Sequence, residues 1–176
     1  MIATDWTVLL FRLIHVTAGV WWAGSVFVFV VFVQPSARAI APAGAPFMME
    51  LLGKRHLPRR LLEIAGVTIV AGLVLYWIDW HDAASLSDFA KHGQGLGITI
   101  GALSAIIAFL IGMFATRPTA DKFMALAGEV AASGGPPSPE VGQQMQQLQA
   151  KLTTLAKLNL AFVTIAVICM GTARYW

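Results

Sequence analysis

Residues 7–33 form an apolar run broken by one pair of ionisable residues, Arg12 and His15. A run of this length reads as a membrane span, because about 20 apolar residues cross the hydrocarbon core of a bilayer. The ionisable pair within it is expensive. An Arg or Lys at the centre of a spanning helix costs roughly 2.5–3.5 kcal/mol on insertion scales, so such a residue marks a functional site by default. His15 stands about two helical turns in from Trp6, below the headgroups and short of the midplane.

Composition agrees with a membrane class. The chain is 57% hydrophobic and 12% charged, with a mean hydropathy of +0.72. A water-soluble domain of 176 residues could not keep that surface in solution, so the excess must face lipid. Three further apolar stretches follow the first. The expected fold is an all-α integral membrane four-helix bundle, one domain over residues 1–176, with spans near 7–33, 60–79, 95–115 and 156–175. The alternation of an outer-membrane barrel is missing. The N-terminus does not read as a cleaved signal: it has no basic lead, and Trp21 and Trp22 stand where small residues would mark a cleavage site.

Basic residues orient the spans. The segment between the first two carries Arg38, Lys54, Arg55, Arg59 and Arg60; that between the last two, with its flanks, carries Arg117, Lys122, Lys151 and Lys157. The other side holds Arg12, Lys91 and Arg174 beside Asp5, Asp79, Asp82 and Asp88. The positive-inside rule then puts both long connections in the cytoplasm of a bacterial inner membrane and both termini outside. Trp6, Trp77, Trp80, Tyr175 and Trp176 would form an aromatic belt at the outer interface. Topology accounts for the net charge of +3, and no basic run interleaved with aromatics points to nucleic acid.

The cytoplasmic segments have their own pattern. Phe47, Met48, Leu51 and Leu52 fit one short interfacial helix between Pro35 and Pro58. Residues 121–132 are helical in composition, and the Ser-Gly-Gly-Pro-Pro-Ser-Pro run from Ser133 to Pro139 breaks the chain. Val141, Met145, Leu148, Leu152 and Leu155 then recur as an a/d seam on a Gln-rich helix. The fourth helix should therefore begin near Glu140 and pack, below the membrane, on a cytoplasmic extension of the third. That hairpin either buries its own seam or docks another subunit. Within the bilayer, Gly97, Gly101, Ala105, Ala108 and Gly112 line one side of the third span, where small residues allow close helix contact. The lone Cys169 excludes an internal disulfide.

Catalytic motifs are scarce. There is no HExxH, no phosphate-binding Gly loop, no GxSxG and no intramembrane carboxylate pair. Glu63 is within one helical turn of Arg59 and Arg60 and reads as a local ion-pair partner. Histidine remains. A histidine in a membrane helix is commonly a haem or metal ligand, a proton relay or an interhelical hydrogen-bond donor. Arg12, His15, Gly19 and Trp22 share one helix face. His15 offers an axial nitrogen, Gly19 leaves room for a flat group or a neighbouring helix, and Arg12 offers a cation for a propionate. His81 and His92 lie in the outer connection and His56 near the cytoplasmic start of the second span. Met48 and Met49 are paired and copper(I) favours thioethers, but Met113, Met124, Met145 and Met170 look scattered in height, which reads as packing more than as a copper site.

The segment Leu13-Ile-His-Val-Thr-Ala-Gly-Val-Trp-Trp-Ala-Gly24, with Phe-Val-Gln-Pro35, resembles the first helix of a group of bacterial four-helix membrane proteins. The group includes copper-resistance D-like proteins, the membrane domain of a urate-oxidising cytochrome and HemJ-type protoporphyrinogen oxidase. A basic residue three before the histidine (Arg12) and an Arg-Arg-Leu-Leu start to the second helix (residues 59–62) are shared with the oxidase. The resemblance implies haem b at His15. The oxidase pairs that histidine with a lysine near the start of the third helix; here Gly97 falls near that position, and Lys91 or His92 only on a shifted alignment. His92 is the preferred second ligand, with His81 and Met170 as alternatives. The expected function is thus a haem b-binding inner-membrane protein in electron transfer or haem-dependent oxidoreduction, alone, as a homo-oligomer or within a respiratory assembly. The alternatives are a cofactor-free accessory subunit of a larger membrane complex and a copper-handling protein.

Overall fold

The computed structural model describes residues 2–81 and 85–176, with side chains from Trp6 onward. Asp82 and the side chain of Asp5, two of the acidic groups used to orient the spans, lie outside the described residues. The described chain is all α: α1 (Ile2–Val28), α2 (Gln34–Ala39), α3 (Gly44–Met49), α4 (Leu57–His81), α5 (Leu86–Lys91), α6 (Gly93–Ile111), α7 (Arg117–Ser133) and α8 (Pro139–Thr172), closed by a 3-10 turn over Ala173–Tyr175. Among the described residues four continuous helical runs are long and apolar enough to cross a membrane: Trp6–Ala39, Leu57–His81, Gly93–Ser133 and Pro139–Tyr175. The protein is a multi-pass helical membrane protein.

Two runs are longer than hydropathy alone indicates, for one physical reason. Pro35 and Pro118 each open a helix, α2 and α7, that continues the span before it. A proline inside a helix removes one amide hydrogen bond and crowds the carbonyl four residues earlier. Here that carbonyl falls in each case in a wider π-helical turn, Phe29–Val33 before Pro35 and Gly112–Thr116 before Pro118. The wide turn relieves the crowding and the helix runs on. The expected short helix between Pro35 and Pro58 is present as α3, extended by a third π turn over Glu50–Lys54.

The most extensive packing is α1 on α4 and α6 on α8, and α4 against α6 and α1 against α8 close the bundle. The core is made of small residues, Ala65, Ala105, Ala108 and Ala166, around Trp22, Val26 and Val163. Lipid offers no hydrophobic drive for helix association, so van der Waals contact between close backbones carries it. The small-residue stripe of α6 does this work. A Cβ at Gly97 would lie 3.1 Å from Ala173 Cα, and one at Gly101 would lie 2.6 Å from Met170 Cγ. Leu13, Val20, Trp21, Val70, Leu103 and Val167 are mostly exposed, as lipid-facing side chains should be.

α7 and α8 extend past the apolar core as a helical hairpin. Gly134, in the left-handed region at φ 66°, ends α7. The Ser138 hydroxyl caps α8 by accepting from the Val141 amide at 3.4 Å, with Pro139 just inside the helix. The seam residues Val141, Met145, Leu148, Leu152 and Leu155 are half-buried, and α7 packs on α8. This end carries the basic residues and their local partners: Lys54 and Arg55 reach Glu50 at 3.3 and 3.0 Å, Arg59 reaches Glu63 at 2.8 Å, and Arg117 approaches Asp121 at 3.9 Å. The Lys54 hydrogen bond, with help from Arg55, holds the Glu50 carboxyl below its usual range, so it stays ionised through neutral pH. Exposed pairs of this kind add little stability.

Candidate functional site

His15 meets the second span. Its Nδ1 lies 2.8 Å from the carbonyl oxygen of Thr68 on α4. A carbonyl only accepts, so Nδ1 carries the proton and donates. Gly72 makes this contact accessible. It sits one turn beyond Thr68, beside the carbonyl, and a Cβ there would be 2.7 Å from His15 Cε1 and 2.9 Å from Nδ1. Any larger residue would displace the ring. Thr68 is buried, and its hydroxyl donates back to the Ile64 carbonyl at 2.9 Å. The space beside Gly19 is also taken by α4: a Cβ at Gly19 would lie 3.5 Å from Thr68 Cγ2. Of the two occupants that Gly19 left open, a flat group or a neighbouring helix, the neighbouring helix is there.

The other expected site residues do not join this contact. Arg12 is exposed and makes no ion pair among the described residues. His92 precedes α6, is exposed, and turns back on its own neighbourhood, with Nδ1 at 3.3 Å from the Asp88 carbonyl and 3.4 Å from its carboxylate. The Tyr76–Thr99 hydrogen bond, 2.9 Å, sets α4 and α6 in register. By that register His92 stands roughly 16 Å along the bundle from the Gly72 level where His15 lies. His81 stacks on Trp77, with ring centroids 5.3 Å apart, toward the same end. Met170 packs at the level of Gly101, nearer to His15 in height. His56 is exposed in a left-handed conformation (φ 52°) before α4. Lys91 is exposed, and Arg174 lies over the Tyr175 ring at 4.9 Å. Among the described residues no three His, Cys, Asp or Glu side chains cluster as metal ligands would.

A second feature lies at the other, basic end. A cavity of about 610 Å³ opens between the first, second, third and fourth spans and α3. Its walls are apolar, from Trp22, Val26 and Leu61 to Phe109 and Leu152, and both proline-linked π turns contribute to it through Phe29, Val30, Gly112 and Thr116. The adjacent Met48 and Met49 line it together with Met124 and Met145. Of the methionines that look scattered in the sequence, Met124 and Met145 are therefore gathered beside that pair, while Met113 and Met170 are not in the lining. Its polar lining is sparse. Thr116 Oγ1 is buried without a hydrogen-bond partner. Asn159 donates to the Ala108 carbonyl at 2.7 Å. Gln34, Arg38, Arg117 and Gln149 complete the polar part. Sequence reading missed this cavity. The available signals were an asparagine inside the fourth span and two prolines inside long helical runs.

No family model matches the chain, and no curated protein or solved structure matches it.

Proposed function

We propose that the protein is a cofactor-free helical subunit of a larger assembly in the bacterial inner membrane, with both termini outside and the α7–α8 hairpin in the cytoplasm. The observation that carries this reading is the use to which His15 is put. Its imidazole hydrogen-bonds a backbone carbonyl of the neighbouring span over a glycine, which is what a helix-pairing residue does in lipid. The basic residues at one end and the exposed tryptophans at the other support the orientation.

The pairing role has a testable signature. His15→Ala should lower the thermal stability of the detergent-solubilised protein by about 1–2 kcal/mol, from one interhelical hydrogen bond and lost packing. Gly72→Ala should cost a similar amount, because the new methyl displaces the ring. In the His15→Ala background the Gly72→Ala cost should vanish, since the methyl then has room. Equal costs of Gly72→Ala in both backgrounds would contradict the pairing role.

Haem b at His15, with electron transfer or oxidoreduction as the function, is the second reading. One observation favours it. Donation from Nδ1 to a carbonyl leaves Nε2 as the free ring nitrogen, the arrangement usual for a metal-ligating histidine. The resemblance of the first helix to the haem-binding group supports the same reading. The fit is incomplete, because Thr68 and Gly72 fill the space at Gly19 and His15 that a macrocycle would need, and His92 stands far along the bundle. Met170 is nearer in height as a second ligand.

A further inference from the structure

The cavity at the basic end is independent of His15 and of the reading built on it. Its shape, lining and charge specify a ligand class. The first span lines it from Trp22 to Arg38, a distance of roughly 24 Å along the helix. A volume of about 610 Å³ drawn out over such a length suits an extended hydrocarbon chain better than a compact ring system. The four methionines add an apolar surface that adapts to a flexible guest.

The polar groups say what the head of that guest should be. Two guanidinium groups, Arg38 and Arg117, line the cavity, and no carboxylate among the described residues does. Arg117 shares its charge with Asp121. Arg38 has no acidic partner among the described residues; its Nη2 donates to the neutral hydroxyl of Thr153. Next to Arg117 in sequence, the Thr116 hydroxyl is buried and has no hydrogen-bond partner among the described residues. Wide π turns are frequent at functional sites, and here residues of three of them line the cavity.

We propose that this cavity binds an anionic amphiphile, its hydrocarbon chain running inward to Trp22 and its head held at Arg38. A free long-chain carboxylate and one chain of an anionic phospholipid share that chemistry.

The test uses brominated chains, because bromine quenches tryptophan on contact and Trp22 lines the inner cavity. The full chain in neutral detergent micelles is titrated with 9,10-dibromostearate, with its methyl ester, and with phosphatidylglycerol or phosphatidylcholine carrying the same brominated chains. The expected result is saturable quenching by dibromostearate or brominated phosphatidylglycerol, with the saturable part lost in Trp22→Phe. Whichever of the two quenches identifies the source. Arg38→Gln should weaken the apparent affinity about tenfold, the loss of one charge-assisted contact, while leaving far-UV dichroism unchanged. The proposal is overturned if the methyl ester and phosphatidylcholine quench equally well, if Arg38→Gln has no effect, or if quenching rises without saturation as for partition into the micelle. Failure here leaves the His15 double-variant result untouched, so the two readings fall separately.

Discussion

Gly97→Leu is expected to force α6 and α8 apart and to cost at least about 3 kcal/mol, the upper part of the range for overpacked cores. At this position the obstacle is backbone. A Cβ at Gly97 would lie 3.1 Å from both Ala173 Cα and Ala173 Cβ and 3.2 Å from the Cys169 carbonyl oxygen. Flexible side chains can yield by rotation, but these atoms move only with the helix. The α6–α8 contact is one of the two most extensive in the bundle, so its separation should be felt as a large fall in melting temperature. Gly171→Leu is the control: nothing lies within 4 Å of a Cβ there, and its melting temperature should stay near that of the parent. Equal melting temperatures for the two variants would mean that close backbone approach is not what joins these helices.

Impermeant thiol labelling should give an all-or-none result. In a Cys169→Ser background, a cysteine at Ser85 should react in intact cells, whereas one at Ser133 should react only after permeabilisation. Both serines are exposed, Ser85 capping α5 and Ser133 near the tip of the α7–α8 hairpin. They lie at opposite ends of the third span, so one membrane crossing separates them. The motivation for the direction is the crowding of Lys and Arg into the two long connections. Labelling of both from outside would remove the proposed orientation.

What was legible in the sequence follows from what depends on one segment at a time. The four spans are set by local hydropathy, and the close face of α6 by the spacing of Gly97, Gly101, Ala105 and Ala108, all of which are buried. The α8 start and the seam that faces α7 follow from Ser138, Pro139 and the heptad spacing. Features that need two segments were hidden. A proline inside a helix is locally unfavourable, and the wider turns before Pro35 and Pro118 are what let these helices continue. The partner of His15 is a backbone carbonyl, which has no sequence signature beyond the absence of a side chain at Gly72. Met124 and Met145 appear dispersed until the third and fourth spans fold back against α3 and its Met48–Met49 pair. The distance from His15 to His92 depends on where α5 and the start of α6 sit, and the loop composition does not encode that.

The role of His15 is most directly tested by one visible absorption spectrum. The protein is produced with ample haem supply, purified as a folded species, and measured oxidised and then dithionite-reduced. If His15 serves to pair α1 with α4, neither spectrum should show a Soret band, and His15→Ala should alter stability alone. A Soret band that shifts on reduction and disappears in His15→Ala would contradict this and make His15 a haem ligand.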